Sequence, residues 1–508
     1  MRNRLRIVTI VLIAAALFYS CDTSLDGDLN ENQPPKTSLT VDNIQVDEES
    51  RLSSRIDISW WGDDPDGYIV GYEYAISDTS EGNWTFTTQT DSTFILPISP
   101  GEETDDVLFA VRAIDNEDLK DPVGASVEFP LRNTDPVTEF NSLELPPDTT
   151  YSLFSFGWSI DDPDGLQTLQ RTEIAINDTT NGWTEIPIEA DDQDEFFVSF
   201  DITDASQSEA TAQVFLGRSF RETDITVDGF IPDGENTFYV RTVDLAQAQS
   251  ETLEFDWYIK RQSSNILILN DDASSTSIEN LNYHMSQLES LGFNFDVVDI
   301  SDGVGLEGGI VPLSESFSSV INPTLNRALA KWDHIYHFSN NLNRNINYGQ
   351  EIFEVFFEDG GTLFTNALIS RDANRTDDPL YNFLAISDFV PVNPEEAEDG
   401  FIIENGAEVT SMHDAPDLIY NGGFSSRIWP FNSVPGSIEL YEADLSKRLV
   451  FGQKEYSGPS TIAVLNPERN VLFFGIDLTD LQVKDNSGQD ISPLLEELLI
   501  NRLGFSQQ

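Results

Sequence analysis

The chain has 508 residues, more than one hydrophobic core holds, so it divides into several domains. Its 27 basic residues against 89 acidic ones leave a net charge of -62, which excludes nucleic acid as a partner and repels anionic lipid headgroups. With 39% hydrophobic and 11% aromatic residues, the acidity belongs to folded domains and not to a disordered tail, and suits a cation-rich or saline habitat.

The chain opens on a basic stretch, Met1 to Arg6, followed by an apolar run from Ile7 to Phe18. That run is shorter than the roughly 20 residues a membrane span needs, and the order basic-then-apolar reads as a secretory signal. It ends in Leu17-Phe18-Tyr19-Ser20-Cys21, and Cys21 is the single cysteine of the chain. This resembles the lipobox of bacterial lipoproteins, with bulkier residues than usual at Phe18 and Tyr19. The resemblance implies a signal peptide over 1–20, cleavage before Cys21, and diacylglycerol with a further acyl chain such as palmitate on Cys21. The protein would then sit in the cell envelope, held by lipid to the outer membrane. No other thiol remains for a disulfide, a nucleophile or a cysteine metal site. Residues 21–35 are rich in Asp, Asn, Gly and Pro and read as a flexible tether. Asp22, Asp26 and Asp28 resemble the acidic surface-export signals of Bacteroidetes lipoproteins.

An internal repeat organises the next stretch. Ile58-Ser59-Trp60-Trp61-Gly62 and Phe156-Gly157-Trp158-Ser159-Ile160 each lead into an identical Asp-Asp-Pro-Asp-Gly, at 63–67 and 161–165. Further on, Phe109 to Asp115 and Phe238 to Asp244 share an aromatic-x-Val-Arg-x-x-Asp strand. Alternating apolar and polar residues between turn-formers predict antiparallel sandwiches over 36–132 and 136–260. The pair resembles fibronectin type III and related immunoglobulin-like modules. In the second copy the landmarks lie further apart, and the extra length falls near Glu189 to Val227 as a loop or an added hairpin. Pro136 marks the boundary between the copies.

From residue 264 the pattern changes. Asn265 to Asn270 is a continuous apolar run, as in a strand buried on both faces. A helix follows, with a capping box over Thr276 to Glu279, an apolar stripe through Ile278, Leu281, Met285, Leu288 and Leu291, and a stop at Gly292. Strands at 295–300 and 332–338, a helix over 351–357, strands at 362–367 and 470–477, and a final helix from Ser492-Pro493 complete the series. This alternation predicts an α/β domain over 264–508 with a mainly parallel sheet and helices on both faces. The order resembles the flavodoxin-like class I glutamine amidotransferase fold, on the strength of the opening strand, Trp332-Asp333-His334-Ile335-Tyr336, Gly360-Gly361 and Gly475-Ile476-Asp477. Residues 371–447 give no clear signal.

The resemblance places the glutaminase nucleophile near Ala367, and alanine supplies no thiolate, so that activity does not carry over. Ser370 lacks a nucleophile-elbow motif. His334 and His337, three apart on one strand, face opposite ways and do not bind one metal together. His284 reads as half-buried between Leu281 and Leu288, and His413-Asp414 as a loop pair. Ligands of open parallel sheets gather at the strands' carboxyl ends, which selects Asn270, Asp271, Asp272, Ser339, Asn340, Asn341 and Asn366 as a set for a sugar or a cation, or as ordinary loop polarity. Asp63, Asp64 and Asp66, and likewise Asp161, Asp162 and Asp164, suit calcium, while the same residues are what a tight turn needs. The sequence thus points to a lipid-anchored, non-catalytic envelope protein with a sandwich stalk and a ligand-binding or scaffold domain, its partners the membrane and an envelope protein or glycan. A rival reading is an envelope hydrolase using Asp271, Asp272 and Asp299 as acid and base on glycans. A component of a larger secretion or uptake complex is a third.

Overall fold

The computed structural model describes residues 31–41, 51–188, 195–299, 311–312, 324–341, 353–369, 383–484 and 490–506. The leader at 1–20, Cys21 and Ser370 lie outside them. Two compact units divide the chain, Met1–Thr134 and Asp135–Gln508.

The first unit is a sandwich of seven strands. One sheet runs Lys36–Val41, Arg55–Asp63, Asp91–Ile95, and the other Thr85–Thr87, Ile69–Ile76, Thr104–Asp115, Ala125–Arg132. Every pairing between these strands is antiparallel. Ile56, Ile58 and Trp60 alternate inward along their strand, the period of a half-buried strand. Trp60 is the centre of the core, 6.3 Å from Tyr72, 6.0 Å from Phe94 and 6.2 Å from Phe109 between ring centroids.

The second unit begins with a larger sandwich. One sheet is Arg221–Phe230, Ala210–Leu216, Glu195–Ile202, Leu153–Asp161, Val137–Phe140, and the other Thr184–Pro187, Leu169–Ile176, Gly234–Asp244, Leu253–Ile259, Thr149–Thr150. The extra length of this copy is the hairpin Ala210–Leu216/Arg221–Phe230, added to the edge of the first sheet. Both copies of the chain's repeat are antiparallel β-sandwiches, as expected.

The remainder corrects the expected architecture. It is not a flavodoxin-like or amidotransferase-like α/β domain with a mainly parallel sheet: about 48% of the described residues are in strands and 11% in helices. Its main sheet has eleven strands. Val311–Pro312, Asp296–Asp299, Ile266–Asp271, His334–Ser339, Thr362–Ala367 and Val471–Phe474 pair in parallel. Thr461–Leu465, Ile438–Ala443, Glu408–Ser411, Leu418–Tyr420 and Leu481–Val483 then continue the same sheet antiparallel. Two further antiparallel sheets come largely from the 371–447 stretch without sequence signal: Phe424–Ser425, Glu398–Glu404, Ser446–Leu449 and Gln453–Glu455, the last beyond that stretch, and Ile386–Phe389 with Phe431–Ser433. The physical reason is plain. The antiparallel strands that overturn the expected architecture, of two to seven residues, are too short to show a period.

Of the helices among the described residues, Ser277–Ser290 is the longest. Thr276 makes no side-chain cap, so the expected capping box is not formed. The stop is as the glycine requires: Gly292 sits at φ 82, and the amides of Gly292 and Phe293 donate to the carbonyls of Glu289 and Leu288, a left-handed C-terminal cap. The buried face is Leu281, His284 and Leu288, while Ile278 is 44% exposed. The final helix, Ser492–Leu495, widens into a π-helical segment Glu496–Arg502. Among the described residues no helix is long and apolar enough to cross a membrane.

Within the second unit the sandwich is fastened to the eleven-stranded assembly. Tyr151 stands edge-on to Trp332 at 4.8 Å, Lys331 Nζ donates to both oxygens of Asp201 at 2.7 and 2.8 Å, and the Arg327 guanidinium lies 4.4 Å over Phe220 at the tip of the added hairpin.

Candidate functional site

The parallel strands end together at one edge of the main sheet, and their register decides which side chains meet there. Asn270 lies opposite Asp299 on one side and Phe338 on the other, so these share a face. Asn270 Nδ2 donates to Asp299 Oδ2 at 2.8 Å, and Asn270 Oδ1 accepts from the Asp272 amide at 3.1 Å. Asp272 in turn accepts from the Ser274 amide at 2.8 Å and from Asn280 Nδ2 at 2.6 Å. Asn366 is committed to the backbone, donating to the carbonyls of Phe474 and Ile476 at 2.9 and 2.6 Å. Asp271 falls on the opposite face, where Ser339 Oγ donates to its Oδ2 at 2.9 Å. Asn341 donates its amide to Ser339 Oγ at 3.2 Å. Of the sequence-selected set, Asp272, Ser339, Asn340 and Asn366 line one recess, joined by Asn280, His284 and Asp477.

The last three were not selected from sequence. Asp477 follows a strand that pairs in parallel with Thr362–Ala367, so the strand-end rule that found Asn366 also leads to Asp477. His284 was placed half-buried because the apolar stripe was drawn through Ile278 and Met285. It is 2% exposed, stacks on Phe338 at 4.1 Å, and sets Nδ1 2.9 Å from the Tyr336 hydroxyl. Burial holds its pKa down to about 3, against a smaller upward pull from the Asp272 charge, so the ring is neutral at any ordinary pH.

The other histidines stand apart. His334 Nδ1 is 2.7 Å from Thr362 Oγ1, and its ring stacks on Phe505 at 4.5 Å. His337 Nδ1 is 2.6 Å from Thr365 Oγ1, and its Nε2 lies 3.7 Å from Asp271 Oδ2. His413 and Asp414 are exposed. Ala367, at the position the resemblance gave the nucleophile, is fully buried at a strand end.

The two acidic turns differ. Asp64 Oδ1 accepts from the Asp66 amide at 3.4 Å, and Asp66 accepts from the Gln33 amide at 3.2 Å, while Asp63 is exposed at its strand end. In the second copy Asp161 accepts from the Asp162 amide at 2.8 Å, and Asp162 from the Asp164 amide at 2.8 Å and from Thr168 Oγ1 at 2.7 Å. Burial pushes the Asp162 carboxyl up to about 6; the nearby charges of Asp164 and Asp244 add to this, and the hydrogen bonds oppose it. In the second copy Asp161 and Asp162 are thus satisfied by the chain itself, whereas in the first Asp64 Oδ2 is buried without a hydrogen-bond partner among the described residues. Among the described residues no three His, Cys, Asp or Glu side chains are grouped to hold a metal ion.

No protein-family model and no curated protein matches the chain. Similar solved structures include the fibronectin(III)-like modules of CbhA from Clostridium thermocellum, 12% identical over 44% of this chain and 95% of that one, with a TM-score of 0.17. A two-domain fibronectin type III segment of chicken tenascin is 10% identical over 44% of this chain and 99% of that one, TM-score 0.19. Domains 4 and 5 of the S-layer protein SbsC are 10% identical over 45% and 100%, TM-score 0.19. At these scores the likenesses add nothing to the strand orders given above, which carry the sandwich assignment by themselves.

Proposed function

We propose that this chain is a lipid-anchored, non-catalytic protein of the cell envelope, in which the sandwich repeats act as a stalk and the C-terminal assembly as a binding unit. The observation that carries the reading is the leader: a basic start, a short apolar run, and the chain's one cysteine at its end. The state of the edge carboxylates supports the non-catalytic part. Of the three carboxylates in the rival reading, Asp271 and Asp299 lie on opposite faces of the sheet, so these two do not flank one bond as an acid/base pair must. Outer-membrane residence and a glycan or envelope-protein partner belong to this reading as well.

Cells producing the full chain and its Cys21→Ser variant, fed an alkyne-tagged palmitate analogue, test the anchor. The tag is expected on the native chain and absent from the variant, which should leave the membrane fraction. Equal tagging of both, or of neither, would overturn it.

A further inference from the structure

The recess at the strand ends is lined by Asp272, Asn280, His284, Asn340, Asn366 and Asp477, among others, and has a volume of about 10 Å³, room for one water-sized group. Its chemistry follows from the tautomer of His284. Tyr336 is fully buried, and His284 Nδ1 is its hydroxyl's one hydrogen-bond partner among the described residues. If the imidazole donated, the hydroxyl proton would be stranded in the core without an acceptor. The hydroxyl therefore donates to Nδ1, and the neutral ring carries its own proton on Nε2. That Nε2–H has no partner among the described residues, and it belongs to a side chain 2% exposed that lines the recess.

The neighbours supply acceptors. Asn340 Oδ1 is buried with no hydrogen-bond partner. Asp477 uses Oδ1 to accept from the amide and hydroxyl of Thr479 at 2.9 and 2.7 Å, leaving Oδ2. One donor and acceptors lining the same recess, in the space of one oxygen atom, fit an alcohol hydroxyl, which takes a proton contact from Nε2–H and gives its own to Asn340 or Asp477. A metal cation would meet the positive end of the N–H bond, and a phosphate or carboxylate would meet the charges of Asp272 and Asp477.

We propose that this recess is the inner subsite of a carbohydrate or polyol site, gripping a single ligand hydroxyl between His284 Nε2 and Asn340 Oδ1. It rests on the reading of the C-terminal assembly as a binding unit. The chain has four histidines, so ¹⁵N-histidine NMR of the full chain in detergent, assigned with His284→Phe, reads the site directly. We expect the Nε2–H tautomer at His284, and a saturable shift of that signal alone when glucose, N-acetylglucosamine or glycerol is titrated in. Asn340→Ala is expected to raise the midpoint about tenfold, as loss of one hydrogen bond does, with an unchanged melting curve. The Nδ1–H tautomer, silence toward all three probes, or a held water that no probe displaces would overturn the proposal. A shift accompanied by cleavage of p-nitrophenyl glycosides would leave the subsite standing and sink the non-catalytic reading instead.

Discussion

At the scale of single residues, the repeat goes deeper than the motifs that reveal it. Glu73 lies opposite Arg112 and Glu173 opposite Arg241 across the same strand pair of each copy. Arg112 is 4.1 Å over Trp84, and Arg241 is 4.0 Å over Trp183. The arginines were legible in the shared strand ending; their partners were not singled out, though Glu-x-Ala-Ile recurs at 73–76 and 173–176. In both copies a second cation completes the cluster, Lys120 in the first and Arg171 in the second. The turns are where the copies diverge, and Asp162 shows it in its ionisation. A carboxyl whose folded pKa is raised to about 6 weakens the fold above that pH, and the penalty fades as pH falls toward the unfolded value near 4. Asparagine can keep both hydrogen bonds without the charge. Asp162→Asn is therefore expected to raise stability by about 1–3 kcal/mol at pH 7.5 and to match the native protein near pH 4. Denaturant unfolding at the two pH values measures it, and an equal gain at both would show that the carboxyl is not strained by burial.

Among the elements, helices and buried strands were found where the apolar pattern is long. The strands so found pair in parallel; the antiparallel strands that continue the sheet were missed, because most are too short to show a period. The candidate edge was legible through the strand-end rule, which selected Asp272, Asn340 and Asn366. His284 was placed on the helix between Leu281 and Leu288 but read as half-buried, because a histidine counts as polar when an apolar stripe is drawn; it is a buried core position. The added hairpin was anticipated in place but its use was not: Phe220 at its tip meets Arg327. The same junction contains Trp332, 4% exposed, whose Nε1 donates to Asp296 at 2.9 Å. Trp332→Ala is expected to cost about 3–5 kcal/mol, whereas Phe451→Ala, at a hairpin tip 93% exposed, should stay within about 0.5 kcal/mol. Chemical denaturation of the full chain reads both, and a small loss for Trp332 would mean that the junction is loosely packed.

For the molecule as a whole, charge is the governing quantity. A net of -62 destabilises the compact state by self-repulsion, and salt shortens the reach of that repulsion from about 30 Å at 0.01 M to about 3 Å at 1 M. Exposed ion pairs such as Arg132 with Glu103 and Lys454 with Glu396 lose little in exchange. The melting temperature should therefore climb steadily with sodium chloride over that range. A flat or falling profile would show that the acidic groups are spaced widely enough not to oppose folding. Composition made this scale the most legible of the three, since it needs no knowledge of which residues touch.

One feature of the main sheet governs when it can form. Val471–Phe474 lies between Thr362–Ala367 and Thr461–Leu465, so the strand that joins the parallel half to the antiparallel half is made roughly a hundred residues after its parallel neighbour, and such distant pairings are slow to close. Until it is made, both halves present open edges that invite pairing with another chain. Under the proposed export, a chain threaded through a membrane from its N-terminus could not lock this sheet until residues 471–474 had crossed. The same order makes a chain stopped before residue 471 a hazard to its neighbours: the sandwiches would form, while the two half-sheets would be left with their edges exposed.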